Sequence, residues 1–423
     1  METRKRGEDT VSAKRFGPVS ACAMLVLPLL LAAPARAASP EPIRIGYMGP
    51  LSGLFAQAGK DMLDGLRMYL EQVGFQAGGR KIELIEEDDE GNNATAVAKY
   101  RKLAERDRVH VFTGVLLVNI GYALAPMIDR DQVPSLFLTT PDDLTKRRRA
   151  KWISRVAFSA SQPMHALGDY AYKTLGYRKV AALAADNGYG HEQIAGFQRV
   201  FEEQGGRVVQ KIWAPLNAQD FAPYITQVRR DADAVVAVFF AGQAVRFLKQ
   251  YAEYGLKGKV PLIGSGTTAE DSILRALGDE AEGYVGTMTW APGVATPGNQ
   301  AFVKAATAKL GRTPSYFSAF MYSGARWIVE AANKLGGKVE DRERFFQAIR
   351  EAAQGEDIRG PIRLDEFGNP TQNVYILKAE RAGGTSQNAV IHTYPMVSQF
   401  WTYKPEEFLK QPAYSRDYPP VRP

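Results

Sequence analysis

The chain has one cysteine in 423 residues, Cys22, and none after it. Disulfide staples, zinc-thiolate sites and cysteine nucleophiles are therefore excluded for everything downstream. Histidine is scarce too, with only His110, His165, His191 and His392. His191-Glu192 opens a zinc-protease helix, but the second histidine that this chemistry needs four residues on is Ala195. His191 is expected instead to be a first-turn helix residue or a pocket donor. No Gly-x-Ser-x-Gly elbow occurs. Gly264-Ser-Gly-Thr-Thr-Ala269 has the outline of a dinucleotide loop, yet the following strand (Tyr284–Trp290) ends without an acid to hold a ribose. A tight strand-to-helix turn facing a cleft is expected there. The acidic run Glu86–Glu90 lacks calcium-loop spacing and is expected to end a strand and solvate a loop. These residues assemble no catalytic centre, so no enzyme, cofactor or metal is expected.

Long apolar runs are also missing, apart from one near the start. Ala21–Ala33 is apolar, follows a basic segment and precedes Ala35-Arg36-Ala37. A charged start, a short apolar stretch and a small-x-small site describe an export signal over 1–37, too short to span a membrane. The mature chain is expected to begin at Ala38 and to work outside the cytoplasm. Cys22 precedes most of the apolar run instead of following it, which argues against a lipid anchor. Lys and Arg number 53 against 46 Asp and Glu, and six of the bases but only three of the acids lie in 1–37. The remainder is close to neutral for its size, which excludes a nucleic-acid partner. The one basic block, Lys146-Arg-Arg-Arg149, is expected to be a solvated loop.

What is present is a repeating alternation of strand and helix patterns. Strands are expected at Ile43–Met48, Lys81–Glu86, Val109–Thr113 and Pro134–Thr139, with helices at Ala94–Glu105 and Asn119–Asp129. Met62, Leu66, Tyr69, Leu70 and Val73 make an apolar helical stripe after the first strand. The order repeats with strands at Lys179–Ala184, Arg207–Ile212, Ala234–Phe240 and Val260–Ile263. Val180–Ala184 and Ala234–Phe240 are apolar without alternation, as parallel strands covered on both faces require. Two such series imply an α/β fold of two Rossmann-like, doubly wound lobes. From Ser315 the pattern changes to helices to Leu335 and over Arg342–Ala353. Strand-like segments follow at Ile358–Leu364, Val374–Lys378 and Val390–Met396, and Pro412–Pro423 is a Pro-rich, irregular strap. In open α/β sheets ligands bind beyond the carboxyl ends of the strands. Here those ends carry Gly49–Ala58, Gly114–Asn119, Thr139-Thr140, Asn187–His191, Phe240–Gln243 and Gly264–Thr268.

These loops carry a resemblance. Gly49-Pro-Leu-Ser-Gly53, Asp88-Asp89 with Ala96-Val-Ala98, Asn187-Gly-Tyr-Gly190, Leu248-Lys-Gln with Gly255-Leu256, and Pro314-Ser-Tyr with Tyr322 together resemble the Leu/Ile/Val-binding branch of periplasmic solute-binding proteins. The likeness runs from about Ile43 to about Gly368. It implies a type I periplasmic binding fold, with a three-strand hinge crossed near Phe158, Thr287 and Gly360. The lobes would be 38–157 plus 288–358 and 158–287 plus 359–410, with 411–423 as the strap. It also implies a monomer that delivers a small carboxylate ligand to ABC permease subunits.

By the same resemblance, Leu117-Val118-Asn119 and Thr139-Thr140 would hold a ligand carboxylate, and Tyr189 and Phe240 would close over it. Ser52 and Phe55 on the first loop and Gly266 and Thr267 on the last complete the expected site. Three positions depart from an amino-acid site: no acid stands in Gly264–Thr268 to meet an ammonium, Ala58 replaces a tyrosine, and Leu116-Leu117-Val118 replaces a serine-rich turn. A buried ammonium without a partner is costly, so an aromatic or apolar carboxylic acid is the expected ligand. A branched-chain amino acid, or a ligand sensed on behalf of a membrane kinase, are the alternatives.

Overall fold

The computed structural model describes residues 13–17, 40–382 and 385–421. Apart from 13–17, the expected export signal, its cleavage site at Ala37 and Cys22 lie outside the described residues, and the architecture below is that of Glu41 onward. The chain starts with β1 (Ile43–Gly49), α1 (Ala56–Gln72), β2 (Gln76–Ala77), β3 (Arg80–Asp88), α2 (Asn93–Arg101), β4 (Val111–Gly114), α3 (Val118–Asp131), β5 (Ser135–Phe137) and β6 (Ile153–Arg155). Their strands form one sheet in the order β2-β3-β1-β4-β5-β6, parallel except for the β2/β3 pair.

The second series is α4 (Ser161–Lys173), β7 (Lys179–Ala185), α5 (Gly188–Glu203), β8 (Arg207–Ala214), α6 (Ala222–Ile225), β9 (Ala234–Val238), α7 (Ala241–Glu253), β10 (Leu262–Ser265), α8 (Asp271–Leu274) and β11 (Val285–Met288). Next come α9 (Pro297–Leu310), α10 (Tyr316–Lys334), α11 (Arg342–Ala352), β12 (Gly355–Asp357), β13 (Gly360–Leu364), β14 (Pro370–Ala382), β15 (Thr385–Val397) and α12 (Pro405–Lys410). The second sheet runs β12-β13-β14-β11-β10-β9-β7-β8, with β15 paired to β14. The chain thus leaves the first sheet after β6 and enters the second. It returns after β11 to pack α10 on α1, then re-enters the second sheet at β12.

Sequence explains the packing. β7 and β9 are buried along almost their whole length because helices cover both faces. α1 turns Met62, Leu63, Leu66 and Leu70 inward. Where α1 meets α10, a Cβ on Gly65 would fall 2.0 Å from the Ser318 carbonyl oxygen, so only glycine permits that approach. α10 is buried on nearly every face, with Trp327 at the centre.

Three expectations need correction. The helix expected to Glu105 ends at Arg101 and continues as one wider π turn over Lys102–Arg106, where Lys102 Nζ reaches both Glu87 (2.6 Å) and Asp107 (2.8 Å). The last two strands are 13 residues each, longer than expected, because their outer halves are polar and lack the apolar signal. Lys146 is not solvated. Its side chain is fully buried, 3.0 Å from Asp142 and 4.8 Å from the Phe408 ring centre, with Phe400 and Tyr414 alongside. The arginines beside it do reach the surface, and Arg147 donates to the backbone of Phe408 and Gln411.

Candidate ligand site

An aromatic-walled cavity gathers several of the strand-end loops of both sheets. Its lining comprises Leu116, Leu117, Val118, Leu138, Thr139, Thr140, Ala157 and Phe158 from the first half. Asn187, Tyr189 and Phe240 come from the second, and Tyr316, Phe317 and Phe320 from α10. At one end lies the start of α3. Its N-cap, Leu117, supplies no side-chain hydrogen bond, and the first intrahelical bond is Gly121 N–H to Leu117 C=O at 3.0 Å. The N–H groups of Val118, Asn119 and Ile120 therefore have no partner inside the helix, and they carry the positive end of its dipole. Beside them the Thr139 hydroxyl is buried, with no hydrogen-bond partner among the described residues. The turn is held by Leu138 N–H on Gly114 C=O and Thr139 N–H on Val115 C=O. Val115 sits at φ +59°, a left-handed conformation that a β-branched residue adopts only under constraint.

The other walls are aromatic. Tyr189 meets Phe240 edge-on at 5.8 Å, and Phe55 stacks on Phe240 at 5.6 Å and 17°. The Tyr189 hydroxyl lies 3.3 Å from Ser265 Oγ and 3.4 Å from Thr267 Oγ1, and burial pushes its pKa up to about 12. Asn187 caps α5 by accepting from Gly190 N–H at 2.8 Å. Phe240 is the N-cap of α7 and is followed by Ala241 at φ +52°.

The structure therefore brings Leu117, Val118, Thr139, Thr140, Tyr189 and Phe240 together around one cavity. The other expected site residues lie elsewhere. Ser52 is exposed and hydrogen-bonds Asp88, whose carboxylate also accepts from Leu51 N–H. The exposed Asn119 side chain donates to Asn93 at 2.7 Å. Thr267 backs Tyr189 and donates to Phe239 C=O at 2.7 Å. Phe55 covers Phe240 without lining the cavity. Gly266 lines a different, smaller void with Glu270, Asp271, Trp290 and Tyr316. Burial, aided by Asp61 and Asp271, pushes Glu270 up to about 8. Tyr316 borders both spaces, and no carboxylate among the described residues lines the aromatic cavity. His191 is a first-turn helix residue, held by Asp186 at 2.8 Å and packed on Trp213. Tyr316, Phe317 and Phe320 line the cavity without having been expected there. Three aromatics at the start of a helix capped by Ser315 were the available signal.

Two sheet-built halves thus place loops and helix starts around one cavity. The sequence pattern of the periplasmic binding protein family matches residues 42–385, and the chain belongs to that family. A Leu/Ile/Val-binding protein homolog 6 from Brucella suis is 28% identical over 370 residues, covering 85% of this chain and 93% of that protein. The solved ABC transporter substrate-binding protein from Sphaerobacter thermophilus superposes with a TM-score of 0.81 at 37% identity, covering 85% of this chain and 99% of that one. An ABC transporter solute-binding protein from Rhodopseudomonas palustris BisB5, solved with 3,4-dihydroxybenzoic acid, gives 0.79 at 30% identity, covering 85% and 98%. Both solved relatives are substrate- or solute-binding proteins of ABC transporters.

Proposed function

We propose that this protein is the periplasmic substrate-binding component of an ABC transporter and binds an aromatic carboxylic acid of the benzoate or hydroxybenzoate type in the aromatic cavity. One observation carries the reading. An uncapped helix start and Thr139, with its unpartnered, buried hydroxyl, line a cavity whose other walls are mostly apolar or aromatic and include no acid among the described residues. Backbone N–H groups and the hydroxyl suit a carboxylate, and the rings suit a flat apolar body. Leu117, Val118, Thr139 and Thr140 would take the carboxylate, while Tyr189 and Phe240 would cover the ring. The dihydroxybenzoate held by the Rhodopseudomonas relative supports the same class. In this reading the chain is exported, cut near Ala37 and works as a monomer. Its lobes, 38–157 plus 288–358 and 158–287 plus 359–410, close on the ligand and present it to permease subunits. A thermal-shift screen over aromatic acids and amino acids tests it, because a ligand bound only by the folded state raises Tm by mass action. Hydroxybenzoates should raise Tm with leucine inert, and a shift by leucine alone would overturn the reading.

A further inference from the structure

The anion end of the cavity rests on a cation that touches no anion. Arg155 ends β6, and its side chain is fully buried. Its guanidinium donates to Thr139 C=O at 3.0 Å, Pro141 C=O at 2.6 Å, Thr145 Oγ1 at 2.8 Å and Asn369 Oδ1. All four acceptors are neutral. Arg359, also fully buried, is held differently: it lies 3.0 Å from Asp357, which also receives Arg326 at 3.0 Å. Lys146, the nearby buried ammonium, is likewise matched by Asp142. The acids that face Arg155 from neighbouring elements are Asp142, Glu192 and Asp365, with the Tyr122 phenol beyond them. Glu192 accepts Asp142 N–H, and Asp365 accepts Phe367 and Asn369 N–H and the Gln399 amide, so their oxygens are engaged elsewhere. Burial also pushes both Glu192 and Asp365 toward their neutral forms. A buried charge held only by neutral acceptors, with no described carboxylate at ion-pair distance, is costly to keep, and this one stands directly behind the turn that presents Thr139 to the cavity.

We propose that Arg155 is a specificity-determining residue. Its charge, acting through the Thr139–Pro141 turn without touching the ligand, makes the cavity select a carboxylate over a neutral head of the same shape. The inference rests on the aromatic-carboxylate reading above. Even partly offset by those acids, a buried unit charge behind the site is worth on the order of ten-fold in affinity.

The test is the ratio of benzoate to benzamide affinity, since the two differ in head-group charge and little in shape. Arg155→Gln should lower that ratio about ten-fold, and Arg155→Lys, which keeps the charge, should largely preserve it even if both variants melt earlier. Asn369→Asp sets a carboxylate against the intact Arg155 fork with almost no change in volume. It should lower the ratio as well, and it carries the test alone should Arg155→Gln fail to fold. Parallel weakening of both ligands, with the ratio unchanged in the Gln and Asp variants, would show that Arg155 only props the turn and overturn the proposal. Wild-type protein that binds neither compound would instead overturn the reading of the site itself.

Discussion

Thr139 and Val115 lie side by side, joined by a 2.9 Å backbone bond, and both are costly to keep as they are. One holds a strained backbone angle and the other a buried hydroxyl without a partner. Such features persist where function needs them. Thr139→Val should weaken benzoate binding by about 1 kcal/mol, the worth of one hydrogen bond. It should leave apo stability equal or slightly higher, because an unsatisfied hydroxyl is removed. Calorimetry and denaturant melts would check both halves. Tyr189 is packed into the core as well as the cavity wall, so Tyr189→Ala mixes two effects. Tyr189→Phe removes only the hydroxyl that bridges Ser265 and Thr267, and should change apo stability by about 1 kcal/mol or less. Glu270 gives a pH prediction. Burial raises its pKa from 4.5 to about 8, so the folded state favours the protonated form. Its contribution to stability is complete below the unfolded value and is lost as pH rises through about 8. Glu270→Gln should flatten that decline, gaining stability relative to wild type at pH 8.5 more than at pH 5 in urea melts.

At the scale of elements, the parallel strands were legible because burial on both faces demands uninterrupted apolar runs, as Val180–Ala185 and Ala234–Val238 show. The loops at their ends were legible for the same topological reason. Local polar chemistry was not. Ser52 and Asn119 lie on the expected loops, but each spends its side chain on a neighbour, Asp88 or Asn93. The α10 aromatics were hidden because helical periodicity cannot tell a core face from a cavity wall. Lys146 was misread because its partners Phe400, Phe408 and Tyr414 are more than 250 residues away in sequence. Those aromatics make the segment from Phe400 to Tyr414, which runs into the C-terminal strap, a staple: Tyr403 bonds Glu203, Arg199 lies 3.9 Å from the Tyr403 ring centre, and Tyr414 meets His165 at 3.1 Å. Phe408→Ala should therefore cost about 3–5 kcal/mol of stability, as for a buried aromatic. Ligand affinity should change little, since no described residue after Phe320 lines the cavity.

At the scale of the molecule, a Phe55–Phe240 stack joins a loop after the first sheet's first strand to a helix start of the second half. Lobe movement would open that stack and the cavity beneath it together. The mature N-terminus should be Ala38 or Ser39, and N-terminal sequencing that finds intact Met1 or a lipidated Cys22 would contradict the export reading. The central claim concerns the ligand's charge. A cavity with free N–H groups at one end, no acid among its described lining residues, and Glu270 behind Tyr316 in another void has no evident partner for an ammonium. Calorimetric titration of benzoate against phenylalanine at matched concentration tests this most directly, because the two share a ring and a carboxylate. Benzoate should bind and phenylalanine should give no measurable heat; tight phenylalanine binding, abolished by Glu270→Gln, would show that the acid reaches the site and that the account is wrong.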